Sequence, residues 1–437
     1  MKRTWVGLGL AVAFAAAGCG SGSGDTKPGG GPGPTDAWAP AFDATNAGWV
    51  SSVFDVPGAG VCTVGGDDRL GCPPNDQGQS VDECPDEDKV LFSHGREYCN
   101  FKGAFKESQL GSEMSFANWG IGFNKATRVL VGRQGRIFYT QLGDKCEPGG
   151  VGSCRQCTID EIDTVPGCFV RLFGVVGHPQ PECQGPNQPL WCWPGDNVAK
   201  RSPLWGIWGP TPDDLWVVGG LGTSNPQGTP DDRRVDDSPV VIHYQDGEWN
   251  RVDLRQWFPG ALDGDFGVRT GVRAFFKVWG TSANDVWIVG QGGILLHWDG
   301  NEFTAQTAGT SRDLISLWGT GPNHIVAVGG RANGVYAVWD GSSWTSHELQ
   351  PLPGLNGVWM DKPNVAHAVG VAGTIVTIHL DTGEVVQEDS GTSRLEFHSV
   401  HGDRDNHTLY AVGGNFDKGN DDPYVGIVVQ RKLGSDE

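Results

Sequence analysis

Short apolar runs separated by glycine-rich turns recur along the chain, and their spacing predicts repeated β-sheets. Four runs share one order of apolar strand, polar turn and second apolar strand, at residues 277–290, 316–329, 357–370 and 399–413. The third residue of each run is aromatic, and the spacings are 39, 41 and 42 residues, for Trp279, Trp318, Trp359 and His401. A period of about 40 residues with several short strands per unit is typical of propeller blades.

The pattern inside one unit predicts four antiparallel strands. Residues 274–279 form an apolar first strand that ends at a glycine, and residues 285–289 alternate as a second strand. Residues 294–298 and 303–307 predict the third and fourth strands. Asp299-Gly300 lies between them, and Asp-Gly is a strong signal for a β-hairpin.

The number of such units predicts the size of the ring. Seven first strands are expected, near residues 53, 118, 207, 278, 317, 358 and 399. The last unit has three strands, and residues 42–48 (FDATNAG) resemble residues 303–309 (FTAQTAG) of a fourth strand. We therefore expect residues 38–47 to complete the last blade and leave no open edge. The predicted fold is all-β, a seven-bladed β-propeller, with six or eight blades as alternatives.

The N-terminus has the pattern of an export signal. Lys2 and Arg3 precede an apolar run from Trp5 to Ala17, which is shorter than the roughly 20 residues that span a bilayer. The run ends in Ala16-Ala17-Gly18-Cys19, which resembles the lipobox of bacterial lipoproteins, although that family usually has Leu where Ala16 stands. The resemblance implies lipidation of Cys19. Ordinary cleavage that leaves Cys19 as a free thiol is the alternative.

Three segments follow from this pattern. Residues 1–18 are expected to be a signal peptide, residues 19–36 a Gly/Pro/Ser-rich tether, and residues 37–433 the propeller. By the sorting rules of lipoproteins, an Asp after the lipidated cysteine favours retention in the inner membrane. Gly20 stands there instead, which predicts an outer-membrane lipoprotein of the bacterial envelope.

The cysteines predict a disulfide framework. The chain has 11 cysteines, and setting Cys19 aside leaves ten in the region 62–192. An even, clustered set in an exported protein is typical of disulfides, and the pairing stays open. Cys154 and Cys157 could also be a redox pair or half of a zinc site, but the flanking sequence lacks the second ligand pair. The disulfide candidates are Cys62, Cys72, Cys84, Cys99, Cys146, Cys154, Cys157, Cys168, Cys183 and Cys192.

The amino-acid composition narrows the classes of partner that the protein could bind. The 32 basic and 52 acidic residues give a net charge of −20, which would repel phosphate backbones and argues against nucleic acid. Eighteen Trp and three Met do not suit a helical bundle, and 68 Gly with 27 Pro indicate many turns.

The repeats resemble the superfamily of bacterial Trp-rich propellers, including the photosystem II assembly factor type and related secreted lipoproteins. The resemblance covers residues 38–431 and is most specific over 273–413. WD-repeat propellers have a similar period. The Asp box of sialidases is absent, since Asp340 and Trp344 are one residue too close together. The resemblance implies a fold and no activity.

The repeat pattern places the long insertions. Insertions 67–88, 221–238 and 415–423 lie between second and third strands, and 259–270 lies between blades, so all four are expected on one face. Insertion 143–200 belongs to blade two, with its placement open. Long loops on a rigid scaffold are where recognition usually resides.

Acidic and Trp residues in these insertions are the candidates for a binding face. Acidic oxygens suit calcium, but no EF-hand pattern is present, and a cationic protein would fit equally. The tryptophans could stack on sugar or peptide, or could anchor the loops. The candidates are Asp82, Glu83, Asp86, Trp191, Trp193, Asp231, Asp232, Asp236, Asp237, Trp257 and Asp421.

Catalytic chemistry has no comparable signal. The chain contains no G-x-S-x-G elbow and no H-E-x-x-H motif, so no residue is assigned as catalytic and no cofactor is predicted. His243, His297 and His379 recur at similar third-strand positions, which indicates packing or hydrogen bonding rather than catalysis.

These features predict a lipid-anchored, monomeric propeller that binds a protein or glycan partner as a scaffold. The membrane contact would be made through the lipid on Cys19. Two alternatives stay open, a propeller enzyme that acts on glycans or lactones and a calcium-dependent adhesion module. A cluster of arginines or carboxylates around the central channel would favour the enzyme.

Overall fold

The computed structural model is an all-β propeller of seven blades, as the sequence predicts. It describes residues 37–71, 85, 90–101, 103–107, 116–125, 127–132, 137–141, 156–157, 169–172, 203–220, 239–246, 248–258, 272–416 and 424–434. Within these residues no helix is long and apolar enough to cross a membrane.

Within the described residues, 29 strands form seven sheets, one for each blade. The closing strand is β1 (Ala39–Pro40). Blade one contains β2 (Trp49–Val56), β3 (Gly60–Gly71), β4 (Val90–Asn100) and β5 (Phe105–Glu107). Blade two contains β6 (Ala117–Gly122), β7 (Thr127–Gly132), β8 (Ile137–Gln141), β9 (Gln156–Cys157) and β10 (Phe169–Leu172). Blade three contains β11 (Leu204–Thr211), β12 (Asp214–Gly219), β13 (Val240–Gln245) and β14 (Glu248–Arg251).

The remaining blades follow the same order. Blade four contains β15 (Phe275–Ser282), β16 (Asp285–Gly290), β17 (Ile294–Trp298) and β18 (Phe303–Thr307). Blade five contains β19 (Leu314–Gly321), β20 (His324–Gly329), β21 (Val335–Trp339) and β22 (Trp344–Glu348). Blade six contains β23 (Leu355–Lys362), β24 (Val365–Gly370), β25 (Ile375–His379) and β26 (Glu384–Glu388), and blade seven contains β27 (Glu396–Asp403), β28 (Thr408–Gly414) and β29 (Gly426–Lys432). Short 3-10 turns occur at Leu254–Gln256, Gln291–Gly293 and Val371–Gly373.

The repeated Trp-Gly pair has a packing function. Trp208 of blade three packs over Gly280 of blade four, where an added Cβ would lie 2.9 Å from the indole ring. Trp279 packs in the same way over Gly319 of blade five, with 2.6 Å from an added Cβ to the ring. The absence of a side chain at each glycine lets the tryptophan of the preceding blade seal the interface. The sequence repeat is thus a repeat of contacts between neighbouring blades.

Hydrophobic burial between the blades supplies the core. Between blades three and four, Trp216 and Val218 pack against Phe275, Val278 and Ile288, all at most 1% exposed. Full burial of one such side chain stabilises the fold by about 1.5–3 kcal/mol. The other interfaces have equivalent clusters, so the core is a ring of layers.

The N-terminal strand closes the ring as predicted, but it pairs with blade seven through residues that lie upstream of the predicted match. Strand β1 pairs antiparallel with β29, with Ala39 opposite Gln430, so residues within 38–47 complete blade seven. The pairing strand lies upstream of the 42–48 match, because Phe42 packs instead against Tyr98 and Phe105 of blade one. The two matching segments, 42–48 and 303–309, correspond in structure at their last residues. Gly48 and Gly309 both have a φ of 75°, and each lies at the entry to the next blade.

A disulfide and a buried ion pair stabilise the first two blades. Cys62 and Cys99, directly opposite each other on β3 and β4, form a disulfide. Beside it, Arg128 of β7 donates from Nε to Glu97 Oε1 and from Nη2 to Glu97 Oε2, both at 2.7 Å. Both side chains are fully buried. Cys62 and Cys99 are thus one pair at disulfide distance, and the wider framework stays a prediction. Of the other eight candidates, Cys157 lies in β9 and seven lie outside the described residues.

The insertions leave the blades where the repeat pattern predicts. Residues 72–84 and 86–89 connect β3 to β4, 221–238 connect β12 to β13, and 417–423 lie between β28 and β29. Segment 143–200 corrects the prediction, because it is not a pure insertion. It supplies β10, the fourth strand of blade two, and β9, which pairs parallel to β10.

Candidate functional site

Strand direction defines two faces of the ring. Every first strand begins where the blade-to-blade connection arrives, and second-to-third-strand connections leave at the same end. We call this end the loop-rich face and the other end the turn face. Insertions 67–88, 221–238 and 415–423 therefore join blades one, three and seven at the loop-rich face, and the connection that contains 259–270 reaches that face at the start of β15. Function is expected on such a face because long loops there are held by a rigid scaffold.

The predicted binding residues are mostly beyond the part of the chain that the structure describes. Asp82, Glu83, Asp86, Trp191, Trp193, Asp231, Asp232, Asp236, Asp237 and Asp421 all lie outside the described residues. Trp257 is described, and it is half-buried after β14. Its ring makes edge contacts with Trp298 at 5.6 Å and Phe303 at 5.4 Å. These two residues flank a turn on the turn face, so Trp257 anchors its segment to blade four; a ligand-binding role for it stays a prediction.

An aromatic cluster at the loop-rich face was not predicted from the sequence. Trp49 at the start of β2 packs against Phe416 at 4.6 Å, His398 at 4.7 Å and Phe116 at 5.3 Å between ring centres. We call these four residues the rim cluster. Trp49 and Phe116 are buried, whereas Phe416 is 44% exposed. Among the described residues, Phe416 is the large hydrophobic side chain that is exposed. The feature of the sequence that could have indicated this cluster is the position of Phe416 in the predicted insertion 415–423.

The surroundings of His398 in the rim cluster keep its imidazole uncharged at neutral pH. Burial is the main cause that lowers the pKa of His398 to about 4; the positive charge of Lys277 acts in the same direction, and the hydrogen bond with Ser51 opposes both. His398 Nδ1 lies 3.2 Å from the carbonyl oxygen of Ser51. The imidazole is therefore neutral at pH 7 and presents an apolar, hydrogen-bonding surface beside Trp49.

The recurrent histidines are structural in two blades. His297 stacks on Trp287 at 3.9 Å, and its Nε2 lies 2.7 Å from Asp285 Oδ1. His243 makes the same stack on Trp216 at 3.8 Å. Packing and hydrogen bonding thus account for both.

His379 does not share that position, which corrects the sequence-based alignment. It pairs with Val365 at the end of β25, whereas His243 and His297 pair with the second-strand tryptophans. The equivalent register position in blade six is Thr377, whose hydroxyl lies 3.0 Å from His367 Nδ1.

The central channel contains a buried basic side chain. Lys277 lies on the inner strand β15 and is 3% exposed. Its ammonium group lies 2.6 Å from the ring centre of Trp119, which belongs to the inner strand of blade two. Burial lowers the pKa of Lys277 well below its usual value. The seven inner strands carry no arginine, so they do not supply an arginine cluster, which is one of the two arrangements that would favour the enzyme alternative.

A polar cleft of about 680 Å³ lies on the turn face, at the junction of blades seven and one. Asn100, Phe101, Thr408, Tyr410 and Gln430 are among its lining residues. Its basic residues are engaged: Arg431 donates to Glu388 Oε2 at 2.8 Å, and Lys432 donates to Thr408 Oγ1 at 2.8 Å. The cleft is therefore a hydrogen-bonding surface in which Arg431 is ion-paired and Lys432 keeps its positive charge.

The described part of the chain contains no oxygen-rich cluster of side chains that could bind a metal ion. The one group of three His, Cys, Asp or Glu side chains close enough to share an ion is Cys62, Glu97 and Cys99. Its two sulfur atoms form the disulfide, and Glu97 pairs with Arg128. The acidic loops on which the calcium alternative depends lie outside the described residues.

Comparison with known proteins supports the fold. No protein-family model matches the chain, and no curated protein matches it. Among solved structures, the WD40 propeller domain of Doa1 is 9% identical with a TM-score of 0.52, covering 90% of this chain and 96% of that one. YCF48 from Cyanidioschyzon merolae is 8% identical with a TM-score of 0.52, covering 91% and 99%. A structure described as YCF48 bound to D1 peptide is 12% identical with a TM-score of 0.41, covering 71% and 89%. At these identities the chain is similar to propellers of both kinds in fold.

Proposed function

We propose that this protein is a recognition scaffold that binds a protein partner through its loop-rich face. The observation that carries the proposal is the rim cluster, where Phe416 is exposed directly over buried Trp49. It lies at the same end of the molecule as the insertions of blades seven, one and three. A glycan partner is the second ligand class, since exposed aromatic rings also stack on sugars.

The chemistry of the rim favours an apolar anchor from a partner. Exposed aromatic side chains that rest on a rigid buried base are typical of residues that contribute strongly to protein interfaces. Trp49 is 1% exposed and its indole N–H has no hydrogen-bond partner among the described residues, so it is a rigid base with an unused donor. The acidic loops around it would select a partner with complementary positive charge.

The proposal also covers the location of the protein in the cell envelope. A lipid on Cys19 would hold the protein to the outer membrane, and residues 19–36 would act as a flexible tether. A flexible tether lets the propeller search a volume while remaining monomeric. Export is supported by the Cys62–Cys99 disulfide, because disulfides persist in oxidising compartments.

The test compares a rim variant with a turn-face variant. Residues 37–437 would be used to capture envelope proteins, and the affinity of each captured protein would then be measured with purified material. Phe416→Ser should weaken binding at least tenfold, which corresponds to the loss of about 1.4 kcal/mol. Arg404→Ser removes an exposed side chain on the turn face and should leave affinity unchanged. Equal affinities for both variants, or binding only to a glycan array, would contradict a protein-binding rim.

A further inference from the structure

Lys277 departs from the repeat at the centre of the channel. The other blades carry Trp119 or a small residue at the matching register position of their inner strands, namely Ser52, Gly206, Ser316, Gly357 and Ser399. The side chain of Lys277 reaches from blade four to Trp119 in blade two, and Gly206 of the intervening blade has no side chain in the way. The lysine and the tryptophan therefore meet across the channel.

The ammonium group lacks a counter-charge at this level. Lys277 Nζ is buried and has no hydrogen-bond partner among the described residues. The carboxylates of the inner strands stand at or near strand ends, at Asp55, Asp361, Glu396 and Asp403. None of them raises the pKa of Lys277, whose shift has burial as its cause.

The titratable groups that face Lys277 are basic. His398 and His401 on β27 both have pKa values lowered first by burial and further by the charge of Lys277. Arg404 adds positive charge near His401, and Asp55 lies 3.5 Å from His401 Nε2. Arg404 is itself paired with Asp361 at 2.9 Å and Asp55 is negative, so protonated Lys277 is a buried cation without a hydrogen-bonded carboxylate among the described residues.

Six further polar atoms on the described inner strands are buried without a hydrogen-bond partner, namely Trp49 Nε1, Ser52 Oγ, Asn118 Oδ1, Trp318 Nε1, Thr320 Oγ1 and Trp359 Nε1. Ser52 Oγ stands at the register level of Lys277, and Asn118 Oδ1 belongs to the residue before Trp119. Native proteins satisfy almost all buried polar atoms, and the exceptions mark sites of water, ions or ligands. Of these atoms, Ser52 Oγ shares the register level of Lys277 Nζ, so two unpaired polar groups at one level of the channel point to a polar guest there.

We propose that the channel centre binds a carboxylate-sized anion and that Lys277 Nζ is the group that pairs with it. A charge-assisted hydrogen bond to an anion would supply the missing counter-charge. The site is separate from the rim cluster, so it adds a second ligand class to the scaffold and stands or falls independently of the proposed partner surface.

The proposal has a signature in proton linkage. Burial lowers the pKa of Lys277 and a bound anion would raise it again, so at a pH between the two pKa values binding takes up a proton, up to about one. Above the pKa of the empty site, affinity should fall about tenfold for each pH unit. A bound water or a neutral guest would give neither effect.

Calorimetric titration of the full-length mature protein tests this. Acetate and inorganic phosphate are titrated in two buffers of different ionisation enthalpy, which reports the protons taken up. Lys277→Met should lose at least tenfold in affinity, whereas Lys362→Met, at the end of the inner strand of blade six, should bind as the unmodified protein does. A short peptide acid and its C-terminal amide form another pair of titrations. They distinguish a free anion from a carboxylate on a chain end.

The outcomes separate clearly. Binding with proton uptake that Lys277→Met removes supports the site. Absence of binding in the unmodified protein, binding without proton uptake, or unchanged binding by a folded Lys277→Met variant overturns it. If Lys277→Met fails to fold, proton uptake by the unmodified protein decides the question.

Discussion

The Trp-Gly interface between blades gives a sharp test of the fold. In Gly319→Ala, the new Cβ would lie 2.6 Å from Trp279 Cη2 and 2.6 Å from the carbonyl oxygen of His324. Trp279 is 6% exposed and packed in the interface of blades four and five, so the ring has little freedom to move. Overpacking of this kind costs about 1–3 kcal/mol.

Gly321 provides the matched control two residues away on the same strand. An added Cβ there meets nothing within 4 Å. Gly321→Ala should therefore be neutral, or stabilise by about 0.4–1 kcal/mol because alanine restricts the unfolded chain. The two substitutions have the same chemistry and opposite expected signs.

Denaturant unfolding, followed by Trp fluorescence and circular dichroism, measures both effects. The double variant Trp279→Phe/Gly319→Ala should recover part of the loss, because a smaller ring leaves room for the methyl group. Equal stabilities of Gly319→Ala and Gly321→Ala would refute the explanation of the repeat. A double variant that shows strict additivity would do the same.

Three further outcomes follow from buried charge. Glu97→Gln should destabilise the protein by about 3–5 kcal/mol, because it leaves the Arg128 guanidinium buried without its carboxylate, and thermal unfolding measures the loss. Lys277→Met should raise the free energy of unfolding by about 1–3 kcal/mol, since it removes a desolvated, unpaired amine; a lower stability would contradict the burial argument. The pKa of His398 is about 4 when folded against 6.5 when unfolded, so stability should fall as pH drops from about 6.5 to about 4. In His398→Phe that part of the pH dependence should disappear.

Local patterns were enough to predict the regular parts of the fold. Strands 294–298 and 303–307 of blade four lie at their predicted bounds, because an Asp-Gly turn fixes both ends of the hairpin. The count of seven blades is confirmed for the same reason, since each first strand carries its own apolar and glycine signal.

The misplaced features depend on contacts between distant segments. The closing strand was aligned through Phe42, but that ring packs on blade one and the pairing falls at Ala39. His379 was aligned with His297, although it lies two positions beyond the equivalent residue, Thr377, and pairs with Val365. The position of a third-strand residue is set by its pairing with the second strand, which no pattern within the strand reveals.

Function in a repeated scaffold has to be sought where the repeat is broken. Residues that recur, such as the Trp-Gly pairs and the stacked histidines, are explained by contacts between blades and carry no ligand specificity. Lys277 and Phe416 do not recur, and packing favours neither: one is a buried cation and the other an exposed aromatic ring. A ring that closes through its interfaces tolerates such local costs, because the remaining blades supply the stability. The asymmetric residues of the channel and the rim are therefore where we propose that this chain binds its ligands.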